Sequence, residues 1–315
     1  MQKLLVSLII PCYNEEQVLG ILYKAMDEVT KITPEYDYEF IFVNDGSKDK
    51  TLSIIKNFSE KDIRARFISF SRNFGKEAAI YAGLTASKGD LVTIMDADMQ
   101  DPPSLIPEMI NAIINEGYDS AATRRVSRDG EPPVRSFFAK LFYKLINKMS
   151  GLTVMDGARD FRMMKRKMVD AIVSMQEYHR FSKGIFDWVG FNTKWLEYKN
   201  IERAAGETKW SFFKLFKYAL EGIISFTTLP LKFATFFGFF VSLAAFVYLL
   251  YTFINFFVGG PQPAGYPSLM VTILFLGGIQ LITIGILGEY VARNYMESKK
   301  RPVYIIKETE DDLKK

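Results

Sequence analysis

Between residues 4 and 123 short apolar runs alternate with longer stretches of helical periodicity. The runs are LLVSLII (4–10), YEFIFV (38–43), ARFISF (65–70), DLVTIM (90–95) and YDSAAT (118–123); the helical patterns fall near 15–30, 49–60, 76–86 and 104–116. Strands read as unbroken apolar runs when both faces are covered, so the pattern predicts an α/β fold, a parallel sheet with crossover helices. Ligands of such sheets bind beyond the carboxyl ends of the strands. The polar motifs CYNEE, NDGS, SRNFGKE and DADMQD follow the first four runs at those ends.

The C-terminal third changes character. Residues 233–258 carry no charge, and neither do 268–288 in a second apolar stretch reaching to about 290. Each exceeds the roughly 18–20 residues that cross a bilayer as a helix. The loop between them, GGPQPAGYP, is uncharged, whereas Lys214, Lys217 and Lys232 precede the first stretch and Arg293, Lys299, Lys300 and Arg301 follow the second. That bias predicts a hairpin with both ends cytoplasmic; two buried core helices are the alternative. The expected division is a cytoplasmic domain over 1–228, a transmembrane hairpin over 229–295 and a cytoplasmic tail over 296–315, whose KETEDDLKK reads as solvated and disordered. Glycines at 277, 278, 285 and 288 allow close helix contacts, which leaves a homo-oligomer open. Stretches 135–151 and 210–226 set lysines beside an aromatic face, as in helices lying in the headgroup layer; helices packed on the sheet are the alternative. The N-terminal apolar run stops at Pro11 without a small-residue cleavage site and reads as a strand, not a signal peptide.

Composition narrows the chemistry. The chain has 315 residues and a net charge of +4, a mild excess suited to an anionic membrane surface or a phosphorylated ligand. One cysteine, Cys12, and one histidine, His179, leave no intramolecular disulfide and no Cys or His metal cluster. Cys12 reads as a buried small side chain and His179 as a loop or packing residue. A bound metal needs oxygen ligands, which favours Mg²⁺ or Mn²⁺. No G-x-G-x-x-G follows the first strand and no P-loop occurs, which disfavours a dinucleotide hydride enzyme. Nothing points to a nucleic-acid partner.

The sharpest candidates are the acids of MDADMQDPP (95–103). Carboxylates so close repel unless something positive sits among them. Side chains alternate faces along a regular strand, so Asp98 is the expected cation ligand, with Gln100 adding a neutral oxygen and Asp96 accepting from the nucleotide or from loop amides. An acidic turn is the competing reading. Ser104 is expected to cap the helix that follows. Asp45, in VNDGS, accepts from base or ribose donors or forms an Asx turn. Tyr13 offers stacking and Glu15 ribose contacts, unless Asn14 merely caps a helix. Arg124, Arg125, Arg128, Arg135, Arg159, Arg162, Arg203 and Lys209 form a basic set suited to two phosphorylated ligands; each is otherwise a surface charge.

In order, SLIIPCYNEE, VNDGSKD, SRNFGKEAA, MDADMQDPP, DFRMM, RFSKGIFDWVGF and RAAGETKW, followed by two apolar spans, resemble the polyisoprenyl-phosphate glycosyltransferases over nearly the whole chain. These are inverting family 2 enzymes that include dolichyl-phosphate mannose synthases and bactoprenol glucosyltransferases. The resemblance implies a Rossmann-like GT-A nucleotide-sugar-binding domain with C-terminal amphipathic and transmembrane helices. It implies that Pro11, Tyr13, Glu15 and Asp45 contact the nucleoside, and that Lys76, Ala97 and the Asp96/Asp98 pair line the nucleotide-sugar site. Asp98 and Gln100 would lie near the metal, and Arg203 and Lys209 would close over the diphosphate. Arg125, Arg128 and Arg135 would face the lipid phosphate. Asp160 would sit by the sugar, although GARDFR departs from the family's pattern and leaves Asp156 as a competitor.

The expected reaction moves a sugar from a UDP-sugar to undecaprenyl phosphate at the cytoplasmic face, with glucose the first choice and N-acetylglucosamine the second. Asp98, Asp160 and Arg125 are the expected catalytic residues. The acceptor is a phosphate monoester, already largely dianionic at neutral pH, and needs no general base. A non-catalytic membrane adaptor that binds nucleotide sugars is the reading from another class.

Overall fold

A computed structural model describes residues 3–126, 155, 157–198, 227–258 and 265–314. The stretches 135–151 and 210–226, together with Arg128, Arg135, Asp156, Arg203 and Lys209, lie outside the described residues. The chain divides into two compact units, Met1–Gly222 with Arg301–Lys315, and Ile223–Lys300.

In the first unit β1 (Leu5–Cys12), β2 (Asp37–Asn44), β3 (Ala65–Phe70) and β4 (Leu91–Ile94) alternate with helices α1 (Leu19–Ile32), α2 (Thr51–Lys61) and α3 (Lys76–Ala86). After α4 (Ile106–Ile114) come β5 (Ser120–Arg125), β6 (Ala158–Lys165), α5 (Arg166–Ser174), α6 (Ser182–Trp188) and β7 (Thr193–Tyr198). The β1–β4 runs are mainly apolar because both their faces are covered, and buried polar exceptions pair up, as where Ser7 Oγ donates to Glu39 at 2.6 Å. Phe40, Phe42 and Phe67 face one core with Leu8, Leu22 and Met109. Ile41, Val43, Ile68 and Phe70 face the other with Ala78, Ala79 and Ala82 of α3. Fully burying each such phenyl group stabilises by about 1.5–3 kcal/mol. Small residues let α3 lie close: a Cβ on Gly83 would meet Ile9 Cγ2 at 2.2 Å.

The sheet runs β7-β5-β6-β4-β1-β2-β3-β8, with β8 formed by Ile306–Thr309. Its centre, β4-β1-β2-β3, is parallel, with Leu8 opposite Phe40 and Thr93. The runs expected to form a parallel sheet, β1–β5, do point one way, and a strand outside that pattern joins them. β6, the DFRMM segment, enters antiparallel between β4 and β5 with Ile94 opposite Arg162. Polar Arg159, Asp160 and Arg162 interrupt its apolar run, which hides it from a search for continuous hydrophobic strands. Ser104 does not cap a helix: it lies inside the 3₁₀ turn Pro103–Leu105, and α4 starts at Ile106 without a side-chain cap.

The tail is also corrected. Ile306–Thr309 forms β8, antiparallel to β3, and Glu310–Lys314 a 3₁₀ turn. Its charges have partners there: Glu308 accepts from Lys56 Nζ at 2.5 Å, and Glu310 from Arg66 Nε at 2.7 Å and the Phe67 amide at 3.2 Å. Tyr304 stacks on Phe70 with centroids 4.9 Å apart. A run of charge that looks solvated alone thus covers a sheet edge.

The second unit holds α7 (Leu229–Val258) and α8 (Tyr266–Ser298), of 30 and 33 residues. At 1.5 Å per residue each is longer than the roughly 30 Å hydrocarbon core of a bilayer. Phe233, Phe236, Leu269 and Leu281 on them are mostly exposed, as befits a surface whose solvent is lipid.

Candidate functional site

The carboxyl ends of β1–β4 are tied to one another by side chains. Asn14, with φ of 56°, donates its amide to Ser47 Oγ at 3.0 Å and accepts the Lys48 amide at 2.8 Å. The Glu15 amide donates to Thr51 Oγ1 at 2.8 Å. Asn14 therefore joins two loops and does not cap a helix; α1 starts at Leu19 with no side-chain cap. Pro11 is the second-last residue of β1, and Tyr13 and Glu15 stand half-buried just beyond the strand.

Asp45 is buried after β2, and its carboxylate accepts the Phe74 amide at 2.6 Å and the Gly75 amide at 3.0 Å. The Asx turn is thus absent, since the side chain spans to the β3–α3 loop. Burial pushes its carboxyl up to about 6, against the pull of those amides and of Arg72. Gly46, at φ +64°, lets that loop approach; a Cβ there would meet the Arg72 carbonyl carbon at 2.5 Å.

The three acids after β4 have three different settings. β4 ends at Ile94, so the strand alternation that set Asp96 against Asp98 does not extend to them. Asp96 meets Lys76 Nζ at 2.5 Å and has Arg159 Nη2 at 3.8 Å. Lys76, the first residue of α3, also reaches Asp160 Oδ2 at 2.5 Å and so joins β4's exit to β6. Burial works against the ammonium, but Asp160 and Asp96 outweigh it and hold Lys76 charged. Asp160 is likewise opposed by burial and held far below the usual carboxylate range by Lys76 and Lys183. Asp101, fully shut from solvent, accepts Arg159 Nε at 3.0 Å and Nη2 at 3.3 Å and the Tyr198 hydroxyl at 2.5 Å. Positive groups thus separate two of the acids. Asp98 Oδ1 accepts the Gln100 amide at 3.1 Å across Met99, whose φ is 59°. Gln100 Oε1 accepts Arg125 Nη2 at 3.0 Å, and Ala97 is buried behind the turn.

The described residues therefore bring Asp45, Lys76, Asp96, Ala97, Asp98, Gln100, Arg125 and Asp160 to one end of the sheet. Among them no three His, Cys, Asp or Glu side chains gather as a closed metal cage. One carboxylate with a neutral amide oxygen suits Mg²⁺ or Mn²⁺ completed by phosphate oxygens and water.

Two groups escaped the sequence reading. Glu77, beside Lys76, accepts the Ser182 amide at 3.0 Å and its hydroxyl; burial and Asp160 push it up to about 7. Tyr198 completes the Asp101 cluster across 97 residues, a separation no local pattern reveals. Arg159, expected to meet phosphate, is committed to Asp101 and Asp96.

Comparison with known proteins adds two family matches: glycosyl transferase family 2 over residues 7–173, and the GtrB C-terminal hairpin over residues 229–293. The chain is 45% identical to the bactoprenol glucosyl transferase of Shigella phage SfV, covering 96% of this chain and 98% of that protein. It is 44% identical to the putative glycosyltransferase CsbB of Bacillus subtilis, over 98% of this chain and 93% of the relative. Among solved structures, glucosyl-3-phosphoglycerate synthase from Mycobacterium tuberculosis aligns with a TM-score of 0.48 at 17% identity, covering 70% of this chain and 76% of that one.

Proposed function

Because the chain belongs to the family 2 glycosyltransferases of the bactoprenol glucosyl transferase kind, with a GT-A-like sheet and a membrane-associated hairpin, we propose that it transfers glucose from UDP-glucose to undecaprenyl phosphate. In this reading the domain over 1–228 and both chain ends lie on the cytoplasmic side. The observation that carries the reading is the gathering of Asp45, Lys76, Asp96, Asp98, Gln100, Arg125 and Asp160 at the carboxyl end of the sheet, where Lys76 engages Asp96 and Asp160, Arg159 engages Asp101, and Asp98 accepts the Gln100 amide in the turn after β4.

Asp45 receives the uracil edge: its oxygens already accept two amides and each has a further lone pair. Tyr13, Pro11 and Glu15 border the nucleoside, and Arg203 and Lys209 close over the diphosphate. Asp98 and Gln100 hold the divalent cation, which when bound neutralises charge on the departing UDP. Asp160, fixed by Lys76, lies by the sugar and orients its hydroxyls. Arg125 is steadied by Gln100 and, with Arg128 and Arg135, draws in the lipid phosphate.

In the transfer, an acceptor phosphate oxygen attacks the anomeric carbon from the face opposite UDP. A new C–O bond forms, the bond to the UDP oxygen breaks, and its electron pair leaves with UDP. No proton has to be removed from the nucleophile, so catalysis rests on alignment and on holding two anions together. Inversion converts an α-linked donor into a β-linked lipid phosphosugar.

The test is a donor screen with purified full-length protein, Mg²⁺, undecaprenyl phosphate and labelled UDP-glucose or UDP-N-acetylglucosamine. Chloroform-soluble label from UDP-glucose supports the proposal; label from the other donor alone moves the sugar assignment. No product with any donor supports the adaptor reading instead.

A further inference from the structure

The loop of residues 71–75, between β3 and α3, supplies both amides that hold the Asp45 carboxylate and leads directly into Lys76. Its own sequence does little to fix it. Ser71, Arg72 and Asn73 are exposed, and Gly75 has a φ of +100°. One side of the loop is tied to the exit of β2, where Asn73 Nδ2 donates to the Asp45 carbonyl at 3.2 Å. The other side is tied to the C-terminal tail. The Ser71 amide donates to the Ile305 carbonyl at 3.0 Å, one residue ahead of β8. Tyr304 stacks on Phe70 with an interplanar angle of 15°, and Phe70 in turn meets Phe74 edge-on, with centroids 5.7 Å apart. Tyr304 also meets Tyr81 of α3 at 6.2 Å. A ring from the tail thus leads, through two phenylalanines, to the residue whose amide donates to Asp45 Oδ1 at 2.6 Å.

Covering the edge of the sheet does not account for these contacts. The β3–β8 ladder is made by Ile306–Thr309 against Ile68–Phe70, with a bulge between Ser69 and Phe70. Tyr304 and Ile305 precede that ladder and meet the carboxyl end of β3, the end at which the site lies. Val303, Tyr304 and Phe74 pack together against the core of Ile41, Val43 and Phe70. Aromatic pairs favour particular angles and separations, so a chain of them transmits position as well as stability. We infer that Tyr304 is a positioning residue for nucleotide binding: through Tyr304 and the Ile305 carbonyl the tail fixes the 71–75 loop where its amides orient Asp45 toward a nucleoside. That the ligand is a nucleoside rests on the function proposed above; the hold on the loop does not.

The test uses purified full-length protein in detergent and compares wild type with Tyr304→Ala, Tyr304→Phe and Tyr23→Ala. Tyr23 is the control, a ring stacked on Phe58 at 4.3 Å against the opposite core. Hydrogen exchange over residues 71–76 reads the loop, calorimetry with UDP reads the site, and transfer assays separate KM from kcat. Tyr304→Ala should speed exchange of these amides and weaken UDP on the order of 10-fold each, the size expected when one well-packed ring contact is lost. The KM for the UDP-sugar should rise by a similar factor, while kcat and the KM for the lipid stay put. Tyr304→Phe keeps the stack and should match wild type. Tyr23→Ala should lower the melting temperature yet leave loop exchange and UDP affinity unchanged. Unchanged loop exchange in Tyr304→Ala overturns the inference, and so does a Tyr23→Ala variant that loosens the loop and weakens UDP as much. If Tyr304→Ala does not fold, Tyr304→Leu decides, since it keeps apolar bulk and loses the ring. A loosened loop with undiminished UDP affinity overturns the positioning role at the nucleoside. Wild type that binds no UDP contradicts the proposed function, while loop exchange still decides whether the tail holds the loop, so the two failures are distinguishable.

Discussion

Asp101→Asn preserves the side chain's volume and removes its charge, and its consequence can be worked from the contacts. The carboxylate is wholly buried and accepts two donors of Arg159 and the Tyr198 hydroxyl. Breaking a buried pair by removing one partner costs about 3–5 kcal/mol. Arg159 keeps a second carboxylate, Asp96, at 3.8 Å, and its side chain is 21% exposed, which places the cost at the lower end. About 3 kcal/mol lowers the melting temperature of a unit this size by about 6–12 °C. Tyr198→Phe removes one hydrogen bond from the same cluster, about 1 kcal/mol, and should lower it by only about 2–4 °C. Thermal unfolding of the full chain in detergent, followed by circular dichroism, reads both. The reasoning is refuted if Asp101→Asn melts within about 2 °C of wild type, or if Tyr198→Phe costs as much.

Other consequences follow from the same coordinates. Asp45 titrates near 6, so if it accepts from uracil, UDP affinity measured by calorimetry should fall about tenfold per pH unit below that value, and Asp45→Asn should flatten the profile. Glu77 rises from about 4.5 unfolded to about 7 folded, so the folded state binds more protons between those values. Stability should then decline as pH climbs through that window, by about 3 kcal/mol at most, and Glu77→Gln should remove the slope in denaturant titrations. Glu310→Ala strips an acceptor from Arg66 and from the Phe67 amide and should cost about 1–3 kcal/mol. Deleting residues 301–315 should go further, leaving β3 as an open edge that promotes aggregation, visible by light scattering.

The central sheet was legible because its strands are covered on both faces, so residues 4–10 and 38–43 read as apolar runs broken only by Ser7 and Glu39. β6 was not, because it carries the site's own charges; Arg159, Asp160 and Arg162 make it resemble a loop. The tail misled for a related reason: Glu308 and Glu310 look solvated until Lys56 and Arg66, more than 240 residues away, are placed opposite them. At the site, the acids of DADMQD were visible as a group, but their division was not. Which carboxylate meets Lys76 and which meets Arg159 depends on β6 and β7 folding back beside β4. The pairing of Arg162 with aromatic rings instead of an acid was equally beyond reach, since Phe186 and Trp195 come from other elements.

The most direct test compares wild type with Asp98→Asn for transfer of labelled glucose from UDP-glucose to undecaprenyl phosphate, with Mg²⁺ or Mn²⁺ and with excess chelator. The account predicts organic-phase product from wild type with metal, its loss on chelation, and its loss in Asp98→Asn protein that still folds and partitions into membranes. Undiminished product in the presence of chelator, or from the Asp98→Asn variant, would contradict it.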